Sequence, residues 1–239
     1  MKSRNRVPEI SVIIPALNEA KYIMHLFSSL EAQTFRDFEV IVVDGDSTDG
    51  TRRLASKMGK VVIEKGKGVG RARNTGARAA KGNIIFFTNA DTALSNDLLR
   101  KYHDLFRDKS IVAATGPLTP LEDVTPFIRF GYRFASFYLA KLALTIGQPS
   151  ISGSNFAVRR KEFERARGFD ESLITYEDLD LAKRLKRFGR VVFLNDAHVA
   201  TSSRRIKAWG VTRYILFNAG NVLRYNLYHR SKSDYEPIR

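Results

Sequence analysis

The chain has 239 residues, 44% of them hydrophobic, and carries a formal net charge of +15. This length accommodates one sizeable α/β domain. Cysteine is absent, which excludes a disulfide framework and any thiolate metal site. The positive charge favours an anionic partner such as nucleic acid, anionic lipid or nucleotide phosphates. A basic, fully solvated surface would have the same composition.

Two targeting patterns are missing from the sequence. The basic residues 1–6 are not followed by an apolar segment before Pro8, as a signal peptide would require. No apolar run reaches the roughly 18 residues of a membrane-spanning helix. Together with the lack of cysteine, these features lead us to expect a cytoplasmic protein.

Apolar runs alternate with amphipathic stretches through the first half of the chain. Strands are predicted at 10–14, 39–43, 61–63, 84–88 and 111–114. Helices are predicted at 18–30, 51–58, 68–80 and 95–106. Continuous apolar strands separated by helices indicate an α/β fold with a mostly parallel central sheet and helices on both faces.

The alternation weakens after Gly116. Residues 124–146 form a long apolar and aromatic stretch. After it we predict a short strand at 156–158, a charged helix at 177–188, a strand at 191–193 and a helical stretch at 204–228. Repeats and linker-like segments are absent from the sequence. We therefore predict one domain over residues 1–239, with two halves that divide near residue 116.

Acidic and amide side chains follow three of the predicted strands. They are Asn18 and Glu19, Asp44 and Asp46, and Asn89, Ala90 and Asp91. Open α/β sheets bind ligands at the carboxyl ends of their strands, so we expect a polar pocket at this edge. A carboxylate such as Asp91 suits a hard divalent cation, Mg²⁺ or Mn²⁺. Its alternative role is to cap the helix that follows.

Residues 66–71 are rich in glycine and basic side chains. Arg71 stands where the dinucleotide fingerprint G-x-G-x-x-G needs a third glycine, and no P-loop motif occurs. Lys67, Arg71 and Arg73 at a glycine-rich helix start predict an anion site. The alternative is a flexible basic turn.

Further polar candidates lie in the second half. Glu177 and Asp178 open a helix, where acids complement the helix dipole and where a carboxylate can also serve as a general base. His198 follows a strand and is a candidate Mn²⁺ ligand or a structural histidine. Arg204 holds phosphate in one interpretation and faces water in the other.

Five ordered segments, residues 11–19, 40–51, 72–76, 89–91 and 177–178, resemble the family 2 glycosyltransferases of the GT-A fold. The resemblance covers about residues 9–200. It implies a GT-A-like, Rossmann-like fold and a hexosyltransferase-like enzyme. Such an enzyme moves a sugar from a UDP- or GDP-sugar with inversion, assisted by Mn²⁺ or Mg²⁺. Residues 1–116 would form the nucleotide-binding half and residues 117–239 the acceptor-binding half.

The resemblance also implies roles for single residues. Asp178 would be the catalytic base beside Glu177, and Asp91 would hold the metal, completed by His198. The nucleotide sugar would be bound by Pro15, Ala16, Asn18, Glu19, Asp44, Asp46, Lys67, Arg73, Asn89, Ala90, Asp91 and Arg204. Two departures stand out: Asn89 replaces the first acid of the family's D-x-D motif, and Gly45-Asp46 replaces the usual second acid after Asp44.

The stretch 125–146 suggests contact with a membrane. A helix that is apolar nearly all round is either buried or in lipid, so packing on the sheet as core is the alternative. On an α-helical wheel Arg129, Arg133, Ser136 and Ala140 form one stripe beside aromatic residues, which suits an anionic interface. We therefore expect peripheral binding at the inner face of the membrane and a lipid-linked acceptor such as a polyprenyl phosphate or a glycolipid.

Two other functions are compatible with parts of the sequence. A nucleic-acid-binding protein would cluster its basic residues with aromatics on one face. The Lys and Arg residues are instead spread along the chain, and acidic strand ends would repel phosphate, so we expect no nucleic-acid partner. A nucleotidyltransferase on a related sheet is the other alternative, and it would release pyrophosphate.

Overall fold

The computed structural model describes residues 7–145, 151–210, 212 and 213. Strands in this part of the chain form two sheets. They are β1 (Ile10–Ala16), β2 (Phe38–Asp44), β3 (Lys60–Ile63), β4 (Ile84–Phe87), β5 (Thr92–Leu94), β6 (Ile111–Thr115), β7 (Leu118–Pro120), β8 (Phe156–Arg159), β9 (Arg190–Phe193) and β10 (Val199–Thr201).

Helices surround the larger sheet. They are α1 (Ile23–Glu31), α2 (Thr51–Ala55), α3 (Val69–Ala79), α4 (Leu98–Leu105), α5 (Pro126–Arg133), α6 (Ala140–Thr145), α7 (Arg160–Arg165), α8 (Glu177–Leu185) and α9 (Arg204–Trp209). A π-helical segment, Phe134–Leu139, joins α5 to α6.

The larger sheet has seven strands in the order β3-β2-β1-β4-β8-β6-β9. All neighbours are parallel except β8, which runs antiparallel to β4 and β6 because the chain enters it at the carboxyl end of β4, where Phe87 pairs with Phe156. The mostly parallel α/β sheet predicted from the sequence is thereby confirmed. From β1 the chain order runs outward to β2 on one side and to β4 on the other, a switch point where such sheets bind ligands.

Alternation along the strands divides the core between the two faces of this sheet. Val12 and Ile14 point to the face covered by α1 and α4, where Tyr102 is fully buried. Ile13 and Phe87 point to the opposite face, covered by α3 and α8. Both faces are lined mainly by apolar side chains.

The smaller sheet has the order β5-β10-β7. Strand β10 is antiparallel to β5 and parallel to β7, and the Ser202 amide donates a hydrogen bond to the Asp91 carbonyl oxygen at 3.0 Å. This sheet therefore fixes the start of α9 beside the carboxyl end of β4.

Several predicted helices are shorter in the structure. The one predicted at 18–30 begins at Ile23, because Asn18 adopts a left-handed φ of 55° in a turn. The one predicted at 51–58 ends at Ala55. The one predicted at 204–228 is interrupted after Trp209 by Gly210, which has a φ of 76°, and residues 212 and 213 are helical again. Residue 211 and the residues from 214 onward lie outside the described part of the chain.

The predicted stripe on the 125–146 helix is wrong at Ser136. Arg129 and Arg133 are exposed, whereas the Ser136 hydroxyl lies against the protein, 2.9 Å from the Leu118 carbonyl oxygen. The wheel assumed 100° per residue, and the π-helical segment, with its wider turn, changes the direction of Ser136 relative to Arg129 and Arg133.

Gly76 permits the close approach of α3 to the sheet. A Cβ atom there would lie 2.3 Å from Ile13 Cγ2 and 3.0 Å from Val43 Cγ2. We expect Gly76→Ala to lower the free energy of unfolding by about 1–3 kcal/mol, because both neighbours belong to packed strands. Urea titration followed by circular dichroism measures the change.

Gly131 in α5 is the matched control, since a Cβ there meets no atom within 4 Å. Gly131→Ala is expected to leave stability unchanged or to raise it by up to about 1 kcal/mol through helix propensity. Equal unfolding midpoints for the two variants would contradict the packing argument.

Candidate active site

The loops that follow β1 and β2 are bound to each other at the edge of the sheet. The Asn18 side-chain oxygen accepts a hydrogen bond from the Thr48 amide at 2.9 Å, and the Glu19 amide donates to Thr51 Oγ1 at 2.8 Å. Pro15 and Ala16 end β1 directly before this contact. The polar residues that follow β1 and β2 therefore lie next to each other, as the sequence predicted.

Asp44 and Asp46 share one arginine that the sequence analysis missed. Asp44 is fully buried and accepts a hydrogen bond from Arg52 Nε at 2.8 Å. Asp46 is about half exposed and accepts from Arg52 Nη2 at 2.8 Å, while Lys65 lies 3.1 Å from its other oxygen. The hydrogen bond from Arg52 lowers the pKa of Asp46.

Asp91 lies beside a cation supplied by the chain itself. Arg204 Nη2 lies 3.2 Å from Asp91 Oδ2, and the same guanidinium binds both carboxylate oxygens of Glu19, at 2.8 and 2.5 Å. Burial raises the pKa of Asp91, and the charge of Arg204 offsets part of that rise. The three predicted residues thus form one ion-pair network.

Glu122, which no sequence pattern indicated, anchors the segment that carries Arg204. Its carboxylate accepts hydrogen bonds from the Ser202 hydroxyl at 2.6 Å and from the Ser203 amide and hydroxyl at 2.7 Å each. Burial opposes ionisation of Glu122, but these hydrogen bonds outweigh it and lower its pKa to about 2. The start of α9 is thereby held in place.

A second network lies under Asn89. Arg73 and Glu177 form a buried ion pair at 2.6 Å, and Arg73 Nη2 donates to the Asn89 side-chain oxygen at 3.1 Å. The Asn89 amide nitrogen donates to Ser154 Oγ at 2.8 Å. The Asn89 side chain therefore accepts one hydrogen bond and donates another, which an ionised aspartate could not do. These contacts are a structural reason for asparagine in the first position of the D-x-D motif.

Asp178 follows Glu177 at the start of α8 but is only partly buried. Its Oδ2 accepts a hydrogen bond from the Gly153 amide at 2.9 Å, and the helix begins after Tyr176, which has a left-handed φ of 67°. Burial and the neighbouring charge of Asp178 raise the pKa of Glu177 to about 7, and Arg73 offsets part of this rise. Thus Glu177 is enclosed with Arg73, and Asp178 is the accessible carboxylate.

Two predicted residues are placed apart from these networks. Lys67 is exposed on the loop before α3, where Glu64 engages Arg71 at 3.2 Å. His198 is also exposed, and its carbonyl oxygen pairs with the Ser95 amide. Since Ser202 pairs with Asp91, His198 lies four residues along β10 from that point, roughly 13 Å away. The structure does not bring His198 to Asp91, because the register of β10 separates them.

The side chains of the described residues do not form a complete metal site by themselves. Among these residues no group of three or more His, Cys, Asp or Glu side chains could hold a metal ion. Asp91 presents one carboxylate, and Mg²⁺ is commonly bound through one or two carboxylates together with substrate phosphates and water. Asp91 therefore fits a cation that arrives with phosphate ligands.

A mostly parallel sheet with carboxylates, arginines and an amide at its switch point is typical of an α/β protein that binds its ligand at this edge. The chain belongs to glycosyltransferase family 2: the model of "Glycosyl transferase family 2" matches residues 11–166.

Sequence relatives include a rhamnosyltransferase and a chondroitin synthase. The chain is 28% identical over 232 residues to the O-antigen chain rhamnosyltransferase WbaN of Salmonella anatum, covering 90% of this chain and 74% of that protein. It is 28% identical over 197 residues to the chondroitin synthase of Escherichia coli, covering 80% of this chain. The chain spans only 28% of the length of that synthase.

Solved structures confirm the GT-A fold. The mannosyltransferase PcManGT from Pyrobaculum calidifontis, in complex with GDP-Man and Mn²⁺, superposes with a TM-score of 0.68 at 25% identity, covering 92% of this chain and 65% of that one. TarS 1–349 from S. aureus, in complex with UDP-GlcNAc, superposes with a TM-score of 0.66 at 22% identity, covering 95% of this chain and 68% of that one.

The raised pKa of Glu177 makes stability depend on pH. A carboxyl whose pKa is about 7 in the folded state and about 4.5 in the unfolded state binds more protons when folded, so stability falls as pH rises between these values. We expect Glu177→Gln to reduce the loss of stability between pH 5 and pH 8 by roughly 1–3 kcal/mol. Urea unfolding at the two pH values measures it.

Glu64→Gln is the control. The hydrogen bond from Thr75 is the main cause that lowers the pKa of Glu64, so the stabilisation it gives is fully present above its unfolded pKa and is lost only at lower pH. Its substitution should shift stability equally at pH 5 and pH 8. An unchanged pH dependence in Glu177→Gln would contradict the assignment.

Proposed function

We propose that this chain is an inverting glycosyltransferase that moves a sugar from a nucleotide-diphosphate sugar to an acceptor. The observation that carries the proposal is the convergence of two arginine–carboxylate networks, centred on Arg204 and Arg73, with the accessible carboxylate of Asp178 at one edge of the sheet. The neighbours' complexes with UDP-GlcNAc and GDP-Man support such a donor.

In this proposal the residues before about 116 bind the nucleotide and the later ones bind the acceptor. The joined loops at Asn18, Glu19, Asp44 and Asp46 enclose the nucleoside. Arg73 and Arg204 face the diphosphate, and Lys67 adds charge at the rim. Positioning and charge neutralisation then supply most of the rate, since the protein forms no covalent bond with the sugar.

Asp91 would hold Mg²⁺ or Mn²⁺ together with the diphosphate, and Asn89 and Ala90 place it at the strand end. The cation, when bound, neutralises charge that develops on the leaving diphosphate. The Mn²⁺ in the mannosyltransferase complex supports this assignment.

Asp178 acts as the general base. A hydroxyl acceptor gives its proton to the Asp178 carboxylate while its oxygen forms a bond to the anomeric carbon. The oxygen of a polyprenyl phosphate is already ionised, and Asp178 then only positions it. The bond from that carbon to the phosphate oxygen breaks on the opposite face, and its electron pair leaves with the nucleoside diphosphate. The Gly153 amide orients the carboxylate, and the configuration of the sugar inverts.

Replacement of the base tests the mechanism. Asp178→Asn keeps the shape of the side chain and removes its basicity, so turnover should fall by about 10²–10⁴-fold. Release of nucleoside diphosphate from UDP- and GDP-sugars, each with Mn²⁺ or Mg²⁺, is the measurement.

Asp180→Asn is the control, because Asp180 lies in the same helical turn and pairs with Arg184 at 2.6 Å. It should retain most of the activity. Near-normal turnover of Asp178→Asn would reject the base, and release of pyrophosphate would identify a nucleotidyltransferase instead.

The acceptor in this proposal is lipid-linked and is met at a membrane surface. Within the described residues no helix is long and apolar enough to cross a bilayer. In this proposal the contact is peripheral, at the inner face of the membrane, and the exposed side of the α5–α6 helix is the surface that we assign to it.

This surface, the aromatic ridge, consists of four exposed rings one helical turn apart. They are Phe127, Phe130, Phe134 and Tyr138, with exposed fractions of 69%, 62%, 46% and 50%. The opposite side of the helix packs on the protein: Phe137 meets Phe193 edge-on, at 5.6 Å between centroids. The helix is therefore neither wholly core nor wholly exposed.

Basic side chains flank the aromatic ridge. Arg129, Arg133 and Lys141 are exposed beside it, although Arg129 also pairs with Asp123 at 3.0 Å. Aromatic rings between cations suit the headgroup region of an anionic bilayer, where each cation contributes about 1 kcal/mol. The Tyr132 hydroxyl lies 3.4 Å from the Ser202 carbonyl oxygen, so the ridge helix adjoins the segment that carries Arg204. A polyprenyl phosphate or a glycolipid would be presented from this side.

Vesicle flotation tests the ridge. The protein should float with vesicles that contain anionic phosphatidylglycerol, and less so at high salt because the screening length shortens. Phe130→Glu with Phe134→Glu should abolish flotation. The control is Met24→Glu with Ile63→Glu, which adds the same charges at exposed apolar positions elsewhere and should float normally. Equal flotation of both double variants, or none by the wild type, would contradict the assignment.

A further inference from the structure

Arg204 occupies the space in front of Asp91. Its guanidinium lies 3.2 Å from Asp91 Oδ2, binds both oxygens of Glu19, and lies over the ring of Tyr22 at 5.0 Å from the centroid. The side chains of Asp91 and Arg204 are only 13% and 19% exposed. A divalent cation and this guanidinium would thus repel each other in one small, partly buried space.

The backbone leaves Arg204 little freedom to withdraw. Ser202 is bonded through its amide to the Asp91 carbonyl oxygen, and Glu122 holds both Ser202 and Ser203. The arginine is thus anchored to the same strand end as the carboxylate that it covers. Only the side chain can move, and a stronger acceptor than Asp91 is needed to draw it away.

We propose that Arg204 is the internal counter-cation of Asp91 and excludes the divalent cation until a diphosphate is bound. A guanidinium matches phosphate oxygens in a bidentate geometry, so the diphosphate competes for it and releases Asp91. This inference rests on the proposed function for the identity of the diphosphate. The exclusion itself is a property of the free protein.

Manganese titration of the full chain without nucleotide tests the exclusion, with free Mn²⁺ read from its electron paramagnetic resonance signal. Wild type and Asp91→Asn should bind Mn²⁺ equally weakly, because Asp91 is already occupied. Arg204→Gln should bind Mn²⁺ at least about tenfold more tightly, within the usual range of coupling between sites. Arg204→Gln with Asp91→Asn should return to the wild-type affinity.

Arg205→Gln is the matched control. It removes the same charge one residue away, where the guanidinium lies over the Trp209 ring at 5.6 Å from the centroid. The charge of Arg205 also acts on Asp91, but less strongly than that of Arg204, so the Mn²⁺ affinity of Arg205→Gln should rise clearly less than that of Arg204→Gln. An equal gain in Arg205→Gln would show a general charge effect and overturn the proposal.

Two further results would overturn it, and neither depends on transfer activity. One is tight Mn²⁺ binding by nucleotide-free wild type that Asp91→Asn abolishes, a comparison that needs no change at Arg204. The other is an Arg204→Gln variant that is folded by circular dichroism and binds no more Mn²⁺ than wild type. Failure of the proposed function would appear separately, as no release of nucleoside diphosphate from any donor.

Discussion

Pairing of buried charge is the constraint on which the carboxyl edge of the sheet depends. Parallel strands bring acidic ends together, and carboxylates removed from water cannot stay ionised without a partner. Each receives an arginine from another element: Arg52 of α2 binds Asp44, Arg73 of α3 binds Glu177, and Arg204 of α9 binds Asp91 and Glu19. The edge is thereby closed by pairs that join distant parts of the chain.

These ion pairs contribute more to the positions of the functional side chains than to the net free energy of folding. The cost of desolvating two charges roughly cancels their attraction, whereas removal of one partner leaves a buried charge and costs about 3–5 kcal/mol. The Arg73–Glu177 pair fixes the start of α8 and so places Asp178, which follows Glu177 directly. The more exposed carboxylate is thus oriented by a buried ion pair.

The features that could be predicted from the sequence are those that depend on neighbouring residues or on a regular pattern along the chain. Continuous apolar runs gave the strands of the larger sheet, and the acids at the ends of β1, β2 and β4 followed from the rule for parallel sheets. The partners could not be predicted, because Arg73 and Glu177 are 104 residues apart and Glu19 and Arg204 are 185 apart. Glu122 does not belong to any sequence motif. The separation of His198 from Asp91 depends on strand β10, which is only three residues long and therefore gives little signal in the sequence.

The neutral side chain of Asn89 limits the negative charge at the end of β4. Arg73 already pairs with Glu177, so an aspartate at position 89 would place a second carboxylate on the same guanidinium. With asparagine there, the strand end carries the two carboxylates of Glu19 and Asp91 against the one guanidinium of Arg204. The charge of Arg205 also acts on Asp91, so the strand end is close to neutral in the free protein. A bound diphosphate would add negative charge beyond what Arg204 can offset. The need for a further cation would therefore arise with the phosphate itself, because the protein alone is close to neutral at this edge.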